Sequence, residues 1–275
     1  MNKDFFGVET DLSQKKLWLL DMDGTIYKED SLFDGALDFL GIIKERGGRY
    51  VFITNNSSKS VSDYIKKINH LGILADENNF FTSSQATILW LQKEMNNAKV
   101  YCQGTQSLVN ELRLAGIDVT EQIEPVDVVL VGFDMELTTE KVRSTCQILS
   151  TQEPFYIATN PDLVCPVSFG FIPDCGSICQ MIKNATGKWP IFIGKPAPTM
   201  VDIVREKFCY EKEETVVVGD RLYTDIASGL NAGVTSVAVL TGETTEKDIE
   251  NDNIKPTFTF RSVKNIYELI SNACS

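Results

Sequence analysis

LWLLDMDGT, residues 17–25, is the stretch that decides the fold of this 275-residue chain. Its apolar half predicts a buried strand that ends abruptly in two aspartates, followed at once by Gly-Thr. In open α/β sheets the carboxyl ends of the strands face the ligand crevice. Because extended residues at i and i+2 point the same way, we expect Asp21 and Asp23 side by side in that crevice. Two like charges so close favour a bound cation or a shared proton.

Strand and helix patterns alternate along the rest of the chain. The predicted strands are Leu17–Leu20, Tyr50–Ile53, Val100–Cys102, Val126–Val131, Phe155–Ala158, Thr215–Val218, Val234–Leu240 and, as an edge strand, Pro256–Phe260. The predicted helices are Phe33–Glu45, Ser60–Leu71, Gln106–Leu114, Thr139–Leu149, Gly176–Asn184, Thr199–Phe208, Leu222–Ala232 and Val263–Ile270. This alternation predicts an α/β fold with parallel sheets and right-handed crossovers, and the length allows two domains.

Charge and composition exclude several classes of function. The 26 basic and 38 acidic residues give a net charge of −12, which argues against binding to nucleic acid or to an anionic membrane. An anionic substrate therefore needs local positive charge. No apolar run approaches the ~20 residues of a membrane span, and the N-terminus lacks the apolar core of a signal peptide. The seven cysteines form no CxxC pair, so we expect reduced thiols and a cytoplasmic location.

Four apolar segments end in polar residues whose side chains suit the same chemistry. They end in Asp21-x-Asp23, in Thr54-Asn55, in Gly194-Lys195-Pro196, and in Gly219-Asp220-Arg221-x-x-x-Asp225. One such ending alone is an ordinary turn or helix cap. Four of them in this order predict a Mg²⁺-assisted phosphoryl-transfer site.

The residue types suit the hydrolysis of phosphate monoesters, which are among the slowest substrates without a catalyst. Asp21 can attack phosphorus and form an aspartyl-phosphate. Asp23 can protonate the leaving oxygen and then activate water. Mg²⁺ prefers oxygen ligands, which Asp21, Asp220 and a backbone carbonyl would supply.

Positive charge and hydrogen-bond donors for the phosphate come from two other segments. Lys195 would supply a fixed positive charge to the transferring group. Thr54 and Asn55 would supply a hydroxyl, an amide and free N–H groups at a helix start. Arg221 would offset the local acidity or form a structural ion pair, and Asp220 could instead cap a helix.

At this point the motifs resemble a known family, the haloacid dehalogenase-like (HAD) superfamily, and within it the NagD-like phosphatases with a large α/β cap. DMDGT (residues 21–25), ITNNSS (53–58), GKP (194–196) and VVGDRLYTD (217–225) resemble its four motifs in order. VGFDMELT (131–138) and ATNPD (158–162) resemble segments of its cap. The resemblance covers nearly the whole chain.

The resemblance implies a doubly wound, Rossmann-like parallel-sheet core of residues 1–82 and 185–275, with a smaller α/β cap domain inserted at 83–184. Asp21 would be the nucleophile and Asp23 the acid and base, and Asp23 would offer the metal only its backbone carbonyl. Asp220 would ligate Mg²⁺, with Gly24 and Asp225 in support. The cap would close over the crevice, exclude water and select the leaving group.

The expected function is a phosphatase acting on a small phosphorylated metabolite such as a nucleotide or sugar phosphate. Alternatives on the same scaffold are a phosphomutase, a dehalogenase and a protein without catalysis; Asp23 argues against a dehalogenase. Asn160 and Asp162 would contact substrate or form a plain Asn-Pro turn. A homodimer formed through the caps is compatible with the resemblance.

Overall fold

The computed structural model of the chain describes residues 3–58, 60–167 and 169–272. Its strands are β1 (Leu17–Leu20), β2 (Tyr27–Lys28), β3 (Ser31–Leu32), β4 (Arg49–Thr54), β5 (Phe80–Thr82), β6 (Lys99–Gln103), β7 (Asp118–Thr120), β8 (Val128–Val131), β9 (Phe155–Ala158), β10 (Val164–Val167), β11 (Gly170–Pro173), β12 (Ile191–Phe192), β13 (Thr215–Gly219), β14 (Thr235–Val239) and β15 (Phe258–Phe260). Its helices are α1 (Ala36–Glu45), α2 (Val61–His70), α3 (Ser83–Glu94), α4 (Gln106–Leu114), α5 (Thr139–Thr151), α6 (Cys175–Thr186), α7 (Thr199–Lys207), α8 (Ala227–Ala232), α9 (Glu246–Asn251) and α10 (Val263–Asn272).

Two compact units make up the chain. The first comprises the residues up to Thr54, Ile65–Phe81 and the residues from Lys195 onward. The second comprises Asn55–Tyr64 and Thr82–Gly194. Both are built from a parallel sheet with helices, as the alternating pattern predicts.

The sheet of the first unit contains β1, the strand that the apolar half of residues 17–25 predicts. Its order within the described residues is β15-β14-β13-β1-β4-β5, and β1 pairs in parallel with both β13 and β4. All four residues of β1 and all five of β13 are buried, as expected for central strands covered on both faces. The register pairs Leu20 with Val218 and with Phe52, so residues 21, 53 and 219 lie side by side at the carboxyl ends of the three strands.

The second unit has its own sheet and its own core. In the part of this unit that the structure describes, the sheet order is β12-β9-β8-β6-β7, and every neighbouring pair is parallel. Buried side chains of β8 and β9 pack with apolar side chains of α5 and α6. A separate antiparallel hairpin joins β10 to β11.

The division into units differs from the predicted domain boundaries at two segments, apart from a shift of one residue at Thr82. Residues 55–64 and 185–194 group with the second unit, not with the residues that surround them in the prediction. The reason at the second place is β12, which pairs with β9 in the five-stranded sheet. Ile191 is 54% exposed on this edge strand, while Ile193 is buried.

One predicted helix is not continuous. Residues 222–232 form a single π-helical turn, Leu222–Ile226, followed by the short helix α8. Both Asp225 and Ile226 donate their backbone N–H to the carbonyl of Arg221, at 3.1 Å each. Wide turns of this kind are frequent at functional sites.

None of the helices in the described part of the chain is long and apolar enough to cross a membrane. Among the described cysteines, Cys102, Cys146, Cys165, Cys175, Cys179 and Cys209 are free thiols. Cys274 lies outside the described residues.

Candidate active site

Asp21 lies at the point where β1 leaves the first sheet. Its backbone N–H donates to the carbonyl of Val218 at 2.9 Å, so the chain is still held against β13 at this residue. Its Oδ1 accepts from Nζ of Lys195 at 2.7 Å, and its side chain is 17% exposed. The Asp21 side chain is thus fixed by Lys195 on one side and partly open to solvent on another.

Asp220 follows β13 directly and is held by two loop segments of the first unit. Its Oδ1 accepts from the hydroxyl of Thr25 at 3.3 Å, and its Oδ2 accepts from the backbone N–H of Glu243 at 2.7 Å. Its carbonyl accepts from the backbone of Thr244 at 3.1 Å. These bonds run to other segments, so the role of Asp220 as the N-cap of the following helix is not what the structure shows.

Asp225 reaches the same place from the π turn. Its Oδ1 accepts from Lys195 at 2.6 Å and its Oδ2 from the backbone N–H of Arg221 at 3.1 Å. Because the turn is one residue wider than an α-helical turn, it directs Asp225 back toward the end of β13.

Lys195 is 2% exposed and lies among three acceptors. Its ammonium donates to Asp21, to Asp225 and, at 3.1 Å, to the carbonyl of Ile53. A buried ammonium requires such partners, because burial of an unpaired charge is expensive. Burial by itself lowers the pKa of Lys195, but Asp21 and Asp225 outweigh it and raise the pKa above its ordinary value.

Burial acts on the pKa values of the carboxylates in the opposite direction. Burial raises the pKa of Asp21 to about 8, with Lys195 opposing the shift and Asp225 and Asp220 adding to it. Burial, followed by the charge of Asp225, raises the pKa of Asp220 to about 6. Negative charge is therefore in excess at this site even with Lys195 present.

Two glycines make the room in which Asp220 sits. A Cβ on Gly24 would lie 2.5 Å from its Oδ2, and Gly24 also has a positive φ of 84°. A Cβ on Gly242 would overlap the same oxygen. Thr241 joins the two glycine segments, because its hydroxyl donates to the carbonyl of Gly24 at 2.6 Å.

The three carboxylates offer a donor set that fits a divalent cation. Asp21, Asp220 and Asp225 each provide one oxygen, and these oxygens lie within 4.8 Å of one another. Hard divalent cations prefer oxygen ligands, and an added cation would relieve the repulsion that raises the pKa values of Asp21 and Asp220. The residues present thus fit the metal that the sequence motifs imply.

Asp23 has different surroundings. Its side chain is 58% exposed; Oδ2 accepts from the hydroxyl of Tyr27 at 3.1 Å, and Oδ1 lies 3.9 Å from the ammonium of Lys67. The chain turns directly after Asp21, since Thr25, Ile26 and Tyr27 all donate backbone N–H groups to the carbonyl of Met22. The expectation that Asp23 stands beside Asp21 stays a prediction.

Thr54 and Asn55, at the end of β4, belong to different units. Thr54 follows Ile53, whose carbonyl binds Lys195, and stays in the first unit. Asn55 belongs to the second unit, where its Nδ2 donates to Oδ1 of Asp162 at 3.3 Å. The expectation that the pair lies at a helix start is wrong, because α2 begins only at Val61.

Asn160 and Asp162 also form hydrogen bonds within the second unit. Asn160 is fully buried; it donates to the carbonyl of Asn55 at 2.7 Å and accepts from the backbone N–H of Asp162 at 3.0 Å. Asp162 is 7% exposed and binds the Asn55 amide. These bonds fit the plain-turn interpretation, and a contact with substrate stays a prediction.

Sequence reasoning missed several residues of the site. Thr25, Thr241, Gly242 and Glu243 support Asp220 or Gly24, and the segment 241–243 carries no motif that would have identified it. Arg221 combines its two predicted roles: it pairs with Glu243 at 3.0 Å, and Asp21 is the first of the charges that raise its pKa against the effect of burial.

Comparison with known proteins agrees with this geometry. A family model described as haloacid dehalogenase-like hydrolase matches residues 18–118, and one described as HAD-hydrolase-like matches residues 192–266. An acid sugar phosphatase of Staphylococcus saprophyticus is 35% identical over 251 residues, which cover 91% of this chain and 96% of that protein. The chain belongs to the haloacid dehalogenase-like hydrolases.

Solved structures place it more narrowly among the NagD-like phosphatases of that family. A 4-nitrophenylphosphatase from Thermotoga maritima is 40% identical with a TM-score of 0.89, covering 94% of this chain and 98% of its own. NagD from Escherichia coli K-12 is 31% identical with a TM-score of 0.83, covering 91% and 97%. A glycerol phosphate phosphatase from Mycobacterium tuberculosis, solved with magnesium, is 27% identical with a TM-score of 0.86, covering 93% and 77%.

Proposed function

We propose that this HAD-like hydrolase is a Mg²⁺-dependent phosphatase that cleaves phosphate monoesters of small metabolites through an aspartyl-phosphate on Asp21. The single observation that carries the proposal is the convergence of Asp21, Asp220, Asp225 and Lys195 at one edge of the first sheet. Relatives named for acid sugar, 4-nitrophenyl and glycerol phosphates support a small phosphorylated substrate.

In the first half-reaction an oxygen of Asp21 attacks phosphorus while the bond from phosphorus to the leaving oxygen breaks. Asp23 donates its proton to that oxygen, so the alcohol leaves neutral. Lys195, already 2.7 Å from Asp21, offsets the negative charge that gathers around the phosphoryl group. In the second half-reaction Asp23 takes a proton from water as the water oxygen attacks phosphorus, which releases phosphate and restores Asp21.

The metal would be held by Asp21 and Asp220 and by the backbone carbonyl of Asp23, with Asp225 in support. Asp225 is assigned the supporting role because both of its oxygens already bind Lys195 and Arg221. When bound, Mg²⁺ would neutralise the phosphate and let the anionic nucleophile approach it.

Thr54 and Lys195 would bind the phosphoryl group. Asn55 stays a predicted phosphate contact, although its side-chain amide already donates to Asp162. We further propose a cytoplasmic location, which the free thiols of the described cysteines support.

The test is turnover of 4-nitrophenyl phosphate with Mg²⁺ and with excess chelator. We expect turnover that requires the metal and is lost in Asp21→Asn, while Asp38→Asn, an exposed aspartate of α1, retains it. Asp23→Asn should accumulate a phosphorylated chain, detectable by mass spectrometry after acid quenching. Metal-independent turnover, or full activity in Asp21→Asn, would exclude the proposal.

A further inference from the structure

Two side chains of the first unit hold the exposed carboxylate of Asp23 from opposite ends. The Tyr27 hydroxyl donates to Oδ2 at 3.1 Å, and the Lys67 ammonium lies 3.9 Å from Oδ1. Neither residue belongs to a motif that marked the site, and neither contacts the Asp21 cluster in the bonds described above. Both nevertheless converge on the side chain assigned to proton transfer.

The backbone fixes Tyr27 tightly. Its ring is fully buried, its N–H donates to the carbonyl of Met22 at 3.2 Å, and its carbonyl accepts from Gly24 at 2.9 Å. It also begins the hairpin of β2 and β3, pairing with Leu32. The hydroxyl therefore has a defined position relative to Asp23, four residues before it.

Lys67 comes from α2, far along the chain. Its ammonium lies 4.1 Å from the centroid of the Tyr27 ring, within the range of a cation–π contact. The side chain of Lys67 is 30% exposed, so the contact is partly shielded from water. Tyr27 thus orients both the carboxylate and the cation that faces it.

A purely structural explanation accounts for half of this arrangement. A buried tyrosine hydroxyl requires a partner, and Asp23 is one. It does not account for Lys67, because an ion pair with a carboxylate 58% exposed contributes little to stability. An exposed carboxylate left alone would sample several rotamers, and proton transfer depends on its position.

We propose that Tyr27 and Lys67 are positioning residues for Asp23, and that they hold its carboxyl group in the orientation for proton transfer to the leaving oxygen. The inference rests on the proposed phosphatase function. The proton moves from the Asp23 carboxyl group to the bridging oxygen as the bond to phosphorus breaks. The carboxylate that results keeps the Tyr27 hydrogen bond and faces the Lys67 ammonium.

The experiment compares two phosphate esters whose leaving groups are built on the same phenyl ring. Phenyl phosphate and 4-nitrophenyl phosphate share a ring, but the nitro group stabilises the departing phenolate, which then needs little help from a proton. The quantity measured is kcat/KM, which includes only steps up to the departure of the phenol and so excludes hydrolysis of the aspartyl-phosphate.

In Tyr27→Phe and Lys67→Met we expect kcat/KM for phenyl phosphate to fall about tenfold or more, within the range of general acid catalysis. For 4-nitrophenyl phosphate we expect a fall of less than about threefold, since that substrate relies least on Asp23. Lys67→Arg should restore most of the loss, because it returns the charge.

The matched controls are Tyr50→Phe, a buried tyrosine of β4 with Lys44 over its ring, and Lys66→Met, an exposed lysine of α2. Neither should change the ratio of the two substrates. Lys67→Met changes a side chain that is only partly buried, and so keeps the test valid should Tyr27→Phe fail to fold.

Equal losses on both substrates, or no loss on either, would overturn the positioning role. These outcomes differ from failure of the proposed function, in which the wild-type chain would turn over neither ester or Asp21→Asn would turn over both.

Discussion

The ammonium of Lys195 lies 2.6 Å from Oδ1 of Asp225, and both side chains are almost fully buried. Asp21 shares the same ammonium at 2.7 Å. One cation therefore holds two carboxylates that arrive from β1 and from the π turn after β13. The stability of the chain and the position of the Asp21 carboxylate depend on the same group.

Removal of Lys195 should cost far more than removal of a surface lysine. Lys195→Met leaves Asp21 and Asp225 buried without their cation, and breaking a buried pair costs about 3–5 kcal/mol in the free energy of unfolding. Adding Asp225→Asn should then cost less than it does alone, with a coupling of about 0.5–3 kcal/mol. Urea denaturation of the two single variants and the double variant measures this cycle.

The control is Lys264 and Asp34, which pair at 2.7 Å but have exposed side chains. Lys264→Met should change the free energy of unfolding by about 0–1 kcal/mol, because water screens an exposed pair. An equal effect at both lysines would contradict the role given to burial.

Gly242 is a second position at which a substitution should disturb the site. A methyl group there would overlap the Asp220 carboxylate, and Gly242 has no positive φ that would forbid alanine by itself. Gly242→Ala should therefore displace Asp220, weaken Mg²⁺ binding and lower kcat about 10- to 100-fold, as a small misplacement of a reacting group does. Metal titration by calorimetry and turnover of 4-nitrophenyl phosphate measure the two effects.

Gly41 in α1 provides the comparison, since nothing lies within 4 Å of a Cβ at that position. Gly41→Ala should stabilise the chain by about 0.5–1 kcal/mol through helix propensity and leave metal binding unchanged. Wild-type metal affinity in Gly242→Ala would show that Asp220 does not need this space.

Central strands were the most predictable part of the fold. Leu17–Leu20 and Phe155–Ala158 have the predicted bounds, as does the helix Gln106–Leu114. Continuous apolar runs bounded by polar residues leave little choice, because such strands must be covered on both faces. The family resemblance and the α/β class followed from the motifs at their ends.

The elements that were missed depend on partners distant in sequence. β10 and β11 carry exposed apolar residues and pair with each other, and Cys165 and Ile172 pack against the core of the second unit. Helix α3 has a weak amphipathic pattern, yet Thr82 and Gln85 form a capping box that the sequence Thr-x-x-Gln could have revealed.

The site was predictable where motifs follow central strands and unpredictable elsewhere. Asp21, Lys195, Asp220 and Asp225 converge as expected, since β1 and β13 are parallel neighbours. The turn that follows Asp21 depends on backbone bonds to the carbonyl of Met22, which the i, i+2 rule for strands does not include.

Asn160 should matter for stability and not for substrate choice. Asn160→Ala removes one of two donors to the buried carbonyl of Asn55, which keeps the hydroxyl of Ser83 at 2.6 Å. It also removes the side-chain acceptor of the Asp162 backbone N–H, and the loss of both bonds should cost about 1–3 kcal/mol in the free energy of unfolding. Asn184→Ala, on the exposed face of α6, is the control and should cost less than about 0.5 kcal/mol. The ratio of kcat/KM between a sugar phosphate and 4-nitrophenyl phosphate should stay unchanged; a shift in that ratio would restore the substrate-contact interpretation.

Proton and metal should compete for Asp21 and Asp220. The pKa values of these groups, about 8 and about 6, lie above the ordinary value of 3.8 because burial and neighbouring charges disfavour the ionised forms. Between pH about 4 and pH about 8 the metal-free folded chain binds more protons at the site than the unfolded chain does. The two groups therefore lower the stability of the metal-free chain as pH rises from about 4 to about 8.

Mg²⁺ binding needs the ionised carboxylates, so its affinity should rise over the same interval. The increase in Tm caused by a fixed Mg²⁺ concentration should accordingly be small near pH 5 and grow toward pH 8. Thermal unfolding with Mg²⁺ and with chelator at each pH measures this difference and cancels groups elsewhere in the chain. Asp220→Asn should flatten the profile, and a Mg²⁺-induced Tm shift that is largest at pH 5 would contradict the assignment of these carboxylates as metal ligands.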